Sequence, residues 1–124
     1  MTRRLSAAVG VLFGATSVAA GLRVLTGLDL PGYVVLLWLV RYNVAAGLFG
    51  VVAGIAVWRA APWAIAATAA LATSHLTVLI VLAALRIAGS EVANDSLGAM
   101  ALRVAIWTSI ALVARRVVRT PAVR

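Results

Sequence analysis

Four long apolar runs, separated by short connecting segments, fill almost the whole chain. A helix needs about 20 apolar residues to cross the hydrocarbon core of a bilayer, and each run is that long; the runs span residues 5–25, 34–58, 62–87 and 97–118. Backbone amides inside lipid must find partners within their own segment, so we interpret these runs as helices rather than strands. The mean hydropathy of +1.11 and the 65% share of hydrophobic residues exceed what a water-exposed surface carries. The sequence therefore predicts an all-α bundle of four transmembrane helices, a single transmembrane domain over residues 1–124.

The charged residues between the runs predict how this bundle is oriented. The N-terminus, the second connection and the C-terminus carry arginines only: Arg3, Arg4, Arg59, Arg115, Arg116, Arg119 and Arg124. The acidic residues lie in the first and third connections: Asp29, Glu91 and Asp95. Because basic residues near membrane helices are retained in the cytoplasm, we predict cytoplasmic termini in a multi-pass protein of the bacterial inner membrane. The net charge of +8 then reflects topology and favours contact with anionic lipid; without a basic soluble face, we predict no nucleic-acid partner.

The residue types that most often carry catalysis or bind metals are scarce. The chain has no cysteine, which excludes disulfides, thiolate metal sites and redox dithiols. It has one histidine, and no carboxylate falls inside a predicted helix, so an ordinary cluster of histidine and carboxylate metal ligands is not expected either. We predict no metal site, no catalytic residue and no enzymatic activity, and the composition specifies no cofactor.

Small residues form a stripe along each of the first two predicted helices. In helix one the stripe has spacings of four, three and four: Gly10, Gly14, Ser17 and Gly21. Helix two repeats these spacings with Asn43, Gly47, Gly50 and Gly54. Small residues let two helix backbones approach closely inside a membrane. We therefore predict that helices one and two pack face to face as an antiparallel pair, with the Asn43 side chain between them.

Ionisable residues inside the predicted helices indicate either structural pairing or a ligand site. Arg41 and Arg103 lie at similar depth, each on the side of its helix away from the small residues, and His75 lies near the centre of helix three. A free guanidinium at the helix centre costs about 2.5–3.5 kcal/mol on insertion scales, so each arginine is expected to have a partner. Arg41, Asn43, His75 and Arg103 are thus our candidate ligand-binding residues. For His75 the alternatives are a haem ligand, a proton-relay member, a quinone partner, or a buried imidazole bonded to a backbone carbonyl or a threonine.

The first and third connections carry more local predictions. Arg23 and Asp29 can pair at the membrane surface, although a solvated loop is the simpler interpretation. The segment 94–96, which reads Asn-Asp-Ser, is typical of a side-chain cap at the start of a helix.

Two stretches resemble a known family of small bacterial membrane proteins. The stretch RYNVAAGLFGVVAGIAVW has an arginine early in helix two and glycines after it, and LGAMALRVAIW lies in helix four. With four helices in about 120 residues, they look like the DoxX-like group, and the resemblance covers most of the chain. It implies a four-helix membrane architecture. Some members of that group are associated with quinone-linked sulfur oxidation or thiol-redox complexes, but the lack of cysteine here argues against a redox role.

These observations favour a non-catalytic subunit or scaffold of a larger membrane complex, with a membrane-protein partner or further copies of the chain. A second hypothesis is a binding module for a quinone, an anionic lipid or another amphiphile in an outward-facing pocket. A third is a small transporter or channel built as a homo-oligomer.

Overall fold

The computed structural model describes residues 1–120 as four α-helices joined by short connections. The helices are α1 (Arg3–Leu25), α2 (Leu37–Trp58), α3 (Ala64–Ile87) and α4 (Asn94–Arg119). All four are long and apolar enough to cross a membrane, so the predicted all-α class with four helices of membrane length is confirmed over this range. Arg124, the last of the predicted cytoplasmic arginines, lies outside the described residues.

Each helix runs antiparallel to the next one in the chain. The short connections at residues 26–36 and 88–93 therefore meet at one end of the bundle, which we call the loop end. The turn at residues 59–63 lies at the opposite end together with the N-terminus and the end of α4, and we call this the terminal end.

Hydrogen bonds between backbone groups close the connections after α2 and α3 in the same way. After α3, Gly89 has a φ of 93°, its N–H donates to the Arg86 carbonyl at 3.1 Å, and the Ser90 N–H donates to the Leu85 carbonyl at 2.9 Å. This is a Schellman cap, whose left-handed position is usually a glycine. After α2 the same pattern places Ala60 at a φ of 51°, a backbone conformation that an L side chain disfavours.

The prediction that segment 94–96 caps the last helix through a side chain is wrong. The residue that precedes α4 is Ala93, which has no side chain able to accept a hydrogen bond. The Asn94 side-chain oxygen instead accepts a hydrogen bond from the Arg86 guanidinium across the connection. Asp95 lies in the first turn of α4, where its negative charge still interacts favourably with the helix dipole.

The α1 and α2 backbones touch along the small-residue stripes. A Cβ atom on Gly14 would lie 2.6 Å from the Gly47 carbonyl oxygen, and one on Gly47 would lie 2.8 Å from the Gly14 carbonyl oxygen. Further toward the terminal end, a Cβ on Gly54 would lie 2.8 Å from the Val11 nitrogen. Gly10 and Gly50 also face the Trp107 ring of α4. The stripe positions of α1 are all buried, which leaves no room for larger side chains between the two helices.

Two apolar clusters form the core, one toward each end of the bundle. The larger cluster, toward the terminal end, surrounds Trp107 and Ile110 and is built mostly from small alanines of the other helices. The smaller cluster, toward the loop end, contains Leu39, Leu82 and Met100. The level between the two clusters holds the polar side chains described next.

Candidate functional site

A cavity of about 150 Å³ extends from the loop end into the bundle between α1, α2 and α4. Its deepest polar residues, which we call the floor, are Ser17, Asn43 and Arg103. The walls above the floor are apolar or small, and include Gly21, Leu39, Val40, Ala99 and Met100. Residues of the connections and of the first turn of α4 line the mouth: Pro31, Tyr33, Asp95 and Ser96. The cavity therefore has a polar, positively charged floor, an apolar middle and a polar mouth.

Arg103 reaches the cavity floor because of the way α4 is rotated in the bundle. The small residues of α4 are all exposed on its outer side: Gly98, Ala101, Ala105 and Ser109. Arg103 projects from the other side of α4, so it points between the helices, where its guanidinium carbon lies 5.8 Å from the centre of the Phe13 ring. Such a contact between a cation and a ring stabilises by about 0.5–2 kcal/mol, depending on how dry the site is. Among residues 1–120, Arg103 has no carboxylate within 4.0 Å and no hydrogen bond to another side chain.

Arg41 occupies the corresponding position on α2 but lies on the outside of the bundle. The small residues of α2 pack against α1, so the opposite side of α2, which carries Arg41, is exposed. Arg41 lines neither the cavity nor the void below it. The structure thus separates the two arginines that the sequence places at similar depth, and Arg41 does not join the other candidate ligand-binding residues.

His75 belongs to a partly buried network of three side chains below the cavity. Its exposed fraction is 2%, and its Nδ1 lies 3.0 Å from the Tyr42 hydroxyl. The same hydroxyl lies 2.9 Å from Ser74 Oγ, which in turn donates to the Leu71 carbonyl at 3.0 Å. The imidazole partner is therefore a tyrosine rather than the backbone carbonyl or threonine expected of a purely structural histidine. The sequence does not identify Tyr42 as the partner of His75, because the short connection between α2 and α3 indicates that these helices are neighbours but not which of their faces meet.

A much smaller void of about 10 Å³ lies directly under the cavity floor. Its polar lining consists of Ser17, Asn43, His75 and Arg103, and its apolar lining includes Phe13 and Trp107. The Asn43 Oδ1 atom is buried and accepts no hydrogen bond from residues 1–120. Three of the four candidate ligand-binding residues, Asn43, His75 and Arg103, thus converge here, and Ser17, predicted only to pack helices, joins them.

Charged groups at the loop end are partly paired. Arg23 Nε donates to Asp29 Oδ2 at 3.0 Å, so the predicted pairing forms in place of a fully solvated loop. The hydrogen bond from the Arg23 guanidinium, together with its charge, holds the pKa of Asp29 below its usual range. Asp95 lies at the cavity mouth without an arginine within 4.0 Å among residues 1–120. Arg103 therefore faces the cavity with its charge uncompensated by this carboxylate.

The site contains a guanidinium, a primary amide, a hydroxyl and an imidazole. In the described part of the chain, no group of three or more histidine, cysteine or carboxylate side chains is placed to hold a metal ion. The arrangement is suited to binding acceptor oxygens, because the Arg103 guanidinium offers several hydrogen-bond donors in a fixed plane.

Comparison of the chain with protein families, with curated proteins and with solved structures finds no match. The resemblance to the DoxX-like group therefore stays a prediction.

Proposed function

We propose that this chain is a multi-pass protein of the bacterial inner membrane whose loop-end cavity binds the head of an amphiphile. The head carries an anionic or strongly hydrogen-bonding oxygen, as in an anionic lipid, a quinone or a related molecule. The observation that supports this proposal is the Arg103 guanidinium at the cavity floor, which has no ion-pair partner among residues 1–120. A charged side chain at membrane depth is costly unless something pairs with it, and carboxylate or phosphate oxygens accept two hydrogen bonds from one guanidinium.

The size and lining of the cavity limit which part of a ligand it holds. A cavity of about 150 Å³ is comparable to engineered apolar cavities that hold one benzene molecule. It therefore accommodates a head group or a single ring, while a longer apolar tail stays outside in lipid. Small and apolar wall residues such as Gly21, Leu39 and Ala99 suit the apolar part of that ring or head.

The charge distribution favours the loop end on the outer side of the membrane. Within the described residues, every charged side chain at the terminal end is an arginine, whereas the acidic residues Asp29, Glu91 and Asp95 all lie at the loop end. By the retention of basic residues in the cytoplasm, the cavity opens toward the periplasmic face.

We also propose that the chain assembles with a partner, and a separate observation supports this second proposal. The exposed side of α4 carries a row of small residues, Gly98, Ala101, Ala105 and Ser109. Rows of this kind pack against other helices in membranes. This row supports a role as a subunit of a larger complex or as a homo-oligomer, and it is compatible with an occupied cavity in each copy.

The experiment that tests ligand binding compares two matched arginine substitutions. Wild-type protein, Arg103→Leu and Arg41→Leu are purified from native membranes in a mild detergent, and bound small molecules are identified by mass spectrometry. We expect a molecule bound at fixed stoichiometry to wild type and Arg41→Leu, and lost from Arg103→Leu. Losing a charged hydrogen bond weakens binding about 10- to 100-fold.

Three results would contradict one or other proposal. Equal retention by Arg103→Leu and wild type would refute the role of the guanidinium, and a wild-type protein that carries no small molecule would refute the binding module. The absence of both a defined partner chain and self-association would refute the assembly proposal. The mass of the retained molecule separates a lipid from a quinone.

A further inference from the structure

We infer that the void under the cavity floor is a binding site for one ordered water molecule, held between His75, Asn43, Ser17 and Arg103. The hydrogen bonds around Tyr42 fix the tautomer of His75 that this water requires. This inference goes beyond the proposed ligand binding and does not depend on it, because the void is separate from the space that a ligand head would fill.

The direction of each hydrogen bond follows from counting protons. The Ser74 hydroxyl proton is donated to the Leu71 carbonyl at 3.0 Å, so Ser74 Oγ has no second proton to offer. The contact of 2.9 Å between Ser74 Oγ and the Tyr42 hydroxyl is therefore a hydrogen bond donated by Tyr42. With the single Tyr42 proton used there, the contact of 3.0 Å with His75 Nδ1 must be donated by the imidazole.

This order of donors determines which nitrogen of His75 is free to accept. A neutral imidazole carries one N–H, and the partner of one nitrogen selects the tautomer. With the proton on Nδ1, Nε2 is left with a lone pair, and His75 is also one of the residues that line the void. Among the residues that line the void, His75 and Asn43 thus each supply an acceptor without a partner in the described chain, Nε2 and Oδ1, while Ser17 and Arg103 supply donors.

The size and chemistry of the void match one water molecule. A water needs a volume of about 10–15 Å³ and two to four polar partners, and the void measures about 10 Å³ with four polar side chains around it. A water there donates to His75 Nε2 and Asn43 Oδ1, and accepts from the Ser17 hydroxyl and the Arg103 guanidinium. It thereby satisfies the buried Asn43 oxygen that no residue of the described chain bonds. The water links Arg103 at the cavity floor to His75, Tyr42 and Ser74.

The tautomer is tested by ¹⁵N NMR of histidine-labelled protein in lipid bilayers. The chain has one histidine, so the two ring-nitrogen signals need no assignment to a residue. We expect Nδ1 to be protonated and Nε2 unprotonated, with polarisation transfer from water protons to Nε2. A protonated Nε2 in the wild type, whether alone or with Nδ1 also protonated, would overturn the inference.

Tyr42→Phe provides the matched variant for this measurement. It removes the acceptor of the Nδ1 proton while keeping the aromatic ring, so the preference for the Nδ1–H tautomer should be lost. An unchanged ¹⁵N spectrum in Tyr42→Phe would show that Tyr42 does not set the tautomer.

The water itself is tested by Asn43→Leu, which keeps the number and branching of the side-chain heavy atoms. If the water is present, the substitution removes one of its acceptors, and the thermal midpoint in detergent falls. If the void is dry, the substitution removes a buried oxygen without a partner, and the midpoint rises. A higher midpoint, or the lack of water-to-Nε2 transfer in folded wild-type protein, would refute the water site.

Discussion

Replacing Gly14 by alanine tests how closely α1 and α2 pack. The added Cβ would lie 2.6 Å from the Gly47 carbonyl oxygen and 2.8 Å from the Val51 nitrogen. Both neighbours are backbone atoms of a helix, so neither can move by a simple side-chain rotation. Since ordinary contact begins at 3.4 Å, the two helices must separate locally by about 0.8 Å to accept the methyl group.

The expected cost follows from this separation. Forcing an extra methyl group into a close-packed interior typically costs about 1–3 kcal/mol, and alanine regains about 0.5–1 kcal/mol relative to glycine through its higher helix propensity. We expect Gly14→Ala to lower the free energy of unfolding by about 1–2 kcal/mol. Larger side chains at Gly14 should prevent the α1–α2 pair from forming.

The chain offers a matched control on another helix. A Cβ on Gly98 of α4 meets no atom of the chain within 4 Å, so in micelles that hold the monomer Gly98→Ala carries the propensity gain without the clash and should be neutral or stabilising by up to about 1 kcal/mol. Unfolding of both variants is followed by circular dichroism in mixed micelles of a mild detergent and increasing sodium dodecyl sulfate. Equal stability of Gly14→Ala and Gly98→Ala would show that the α1 and α2 backbones are not in contact at Gly14.

Three further predictions concern the connections. Ala60→Gly should stabilise the fold by up to about 1 kcal/mol in the same unfolding assay, because it relieves the left-handed conformation at a φ of 51°; an unchanged or lower stability would contradict this explanation. In a pH titration by carbon NMR, Asp29 should titrate below its ordinary value of 3.8, and Arg23→Gln should return it toward that value; a titration unaffected by Arg23→Gln would refute the ion pair. Its contribution to loop stability is present above pH 3.8 and is lost as the pH falls through the lower folded pKa. Because the chain has no cysteine, Ser90→Cys should react with a membrane-impermeant thiol reagent in intact spheroplasts while Thr2→Cys does not, and the reverse pattern would invert the proposed topology.

Much of the fold was predictable because hydropathy and helix length depend on local sequence. The apolar runs indicated four helices, and the connection at residues 59–63 is too short for any arrangement other than antiparallel neighbours. The prediction for the start of α4 failed for a tertiary reason: the Arg86 side chain, from the preceding helix, engages the oxygen of Asn94 that would otherwise be free to cap.

The candidate site was predictable only in part. Asn43, His75 and Arg103 were recognised because polar residues are conspicuous in apolar helices, whereas the contribution of Ser17 to the floor and of Tyr42 to the histidine network was not. The position of a residue in a helix specifies the direction in which its side chain points around the helix axis. It does not specify which other helix lies in that direction.

The two arginines illustrate what the sequence does not show, namely which of them faces the interior of the bundle. From the sequence alone, Arg41 and Arg103 are equivalent: each lies at a similar depth, opposite the small residues of its helix. In the folded bundle the small residues of α2 face α1, whereas those of α4 face outward, so Arg41 is exposed and Arg103 lines the cavity. The local sequence specifies the four helices and which face of each carries small or polar residues. The rotation of each helix in the bundle depends on packing between residues far apart in the chain, such as Trp107 against Gly10 and Gly50, and in this packing one guanidinium lies inside and the other outside.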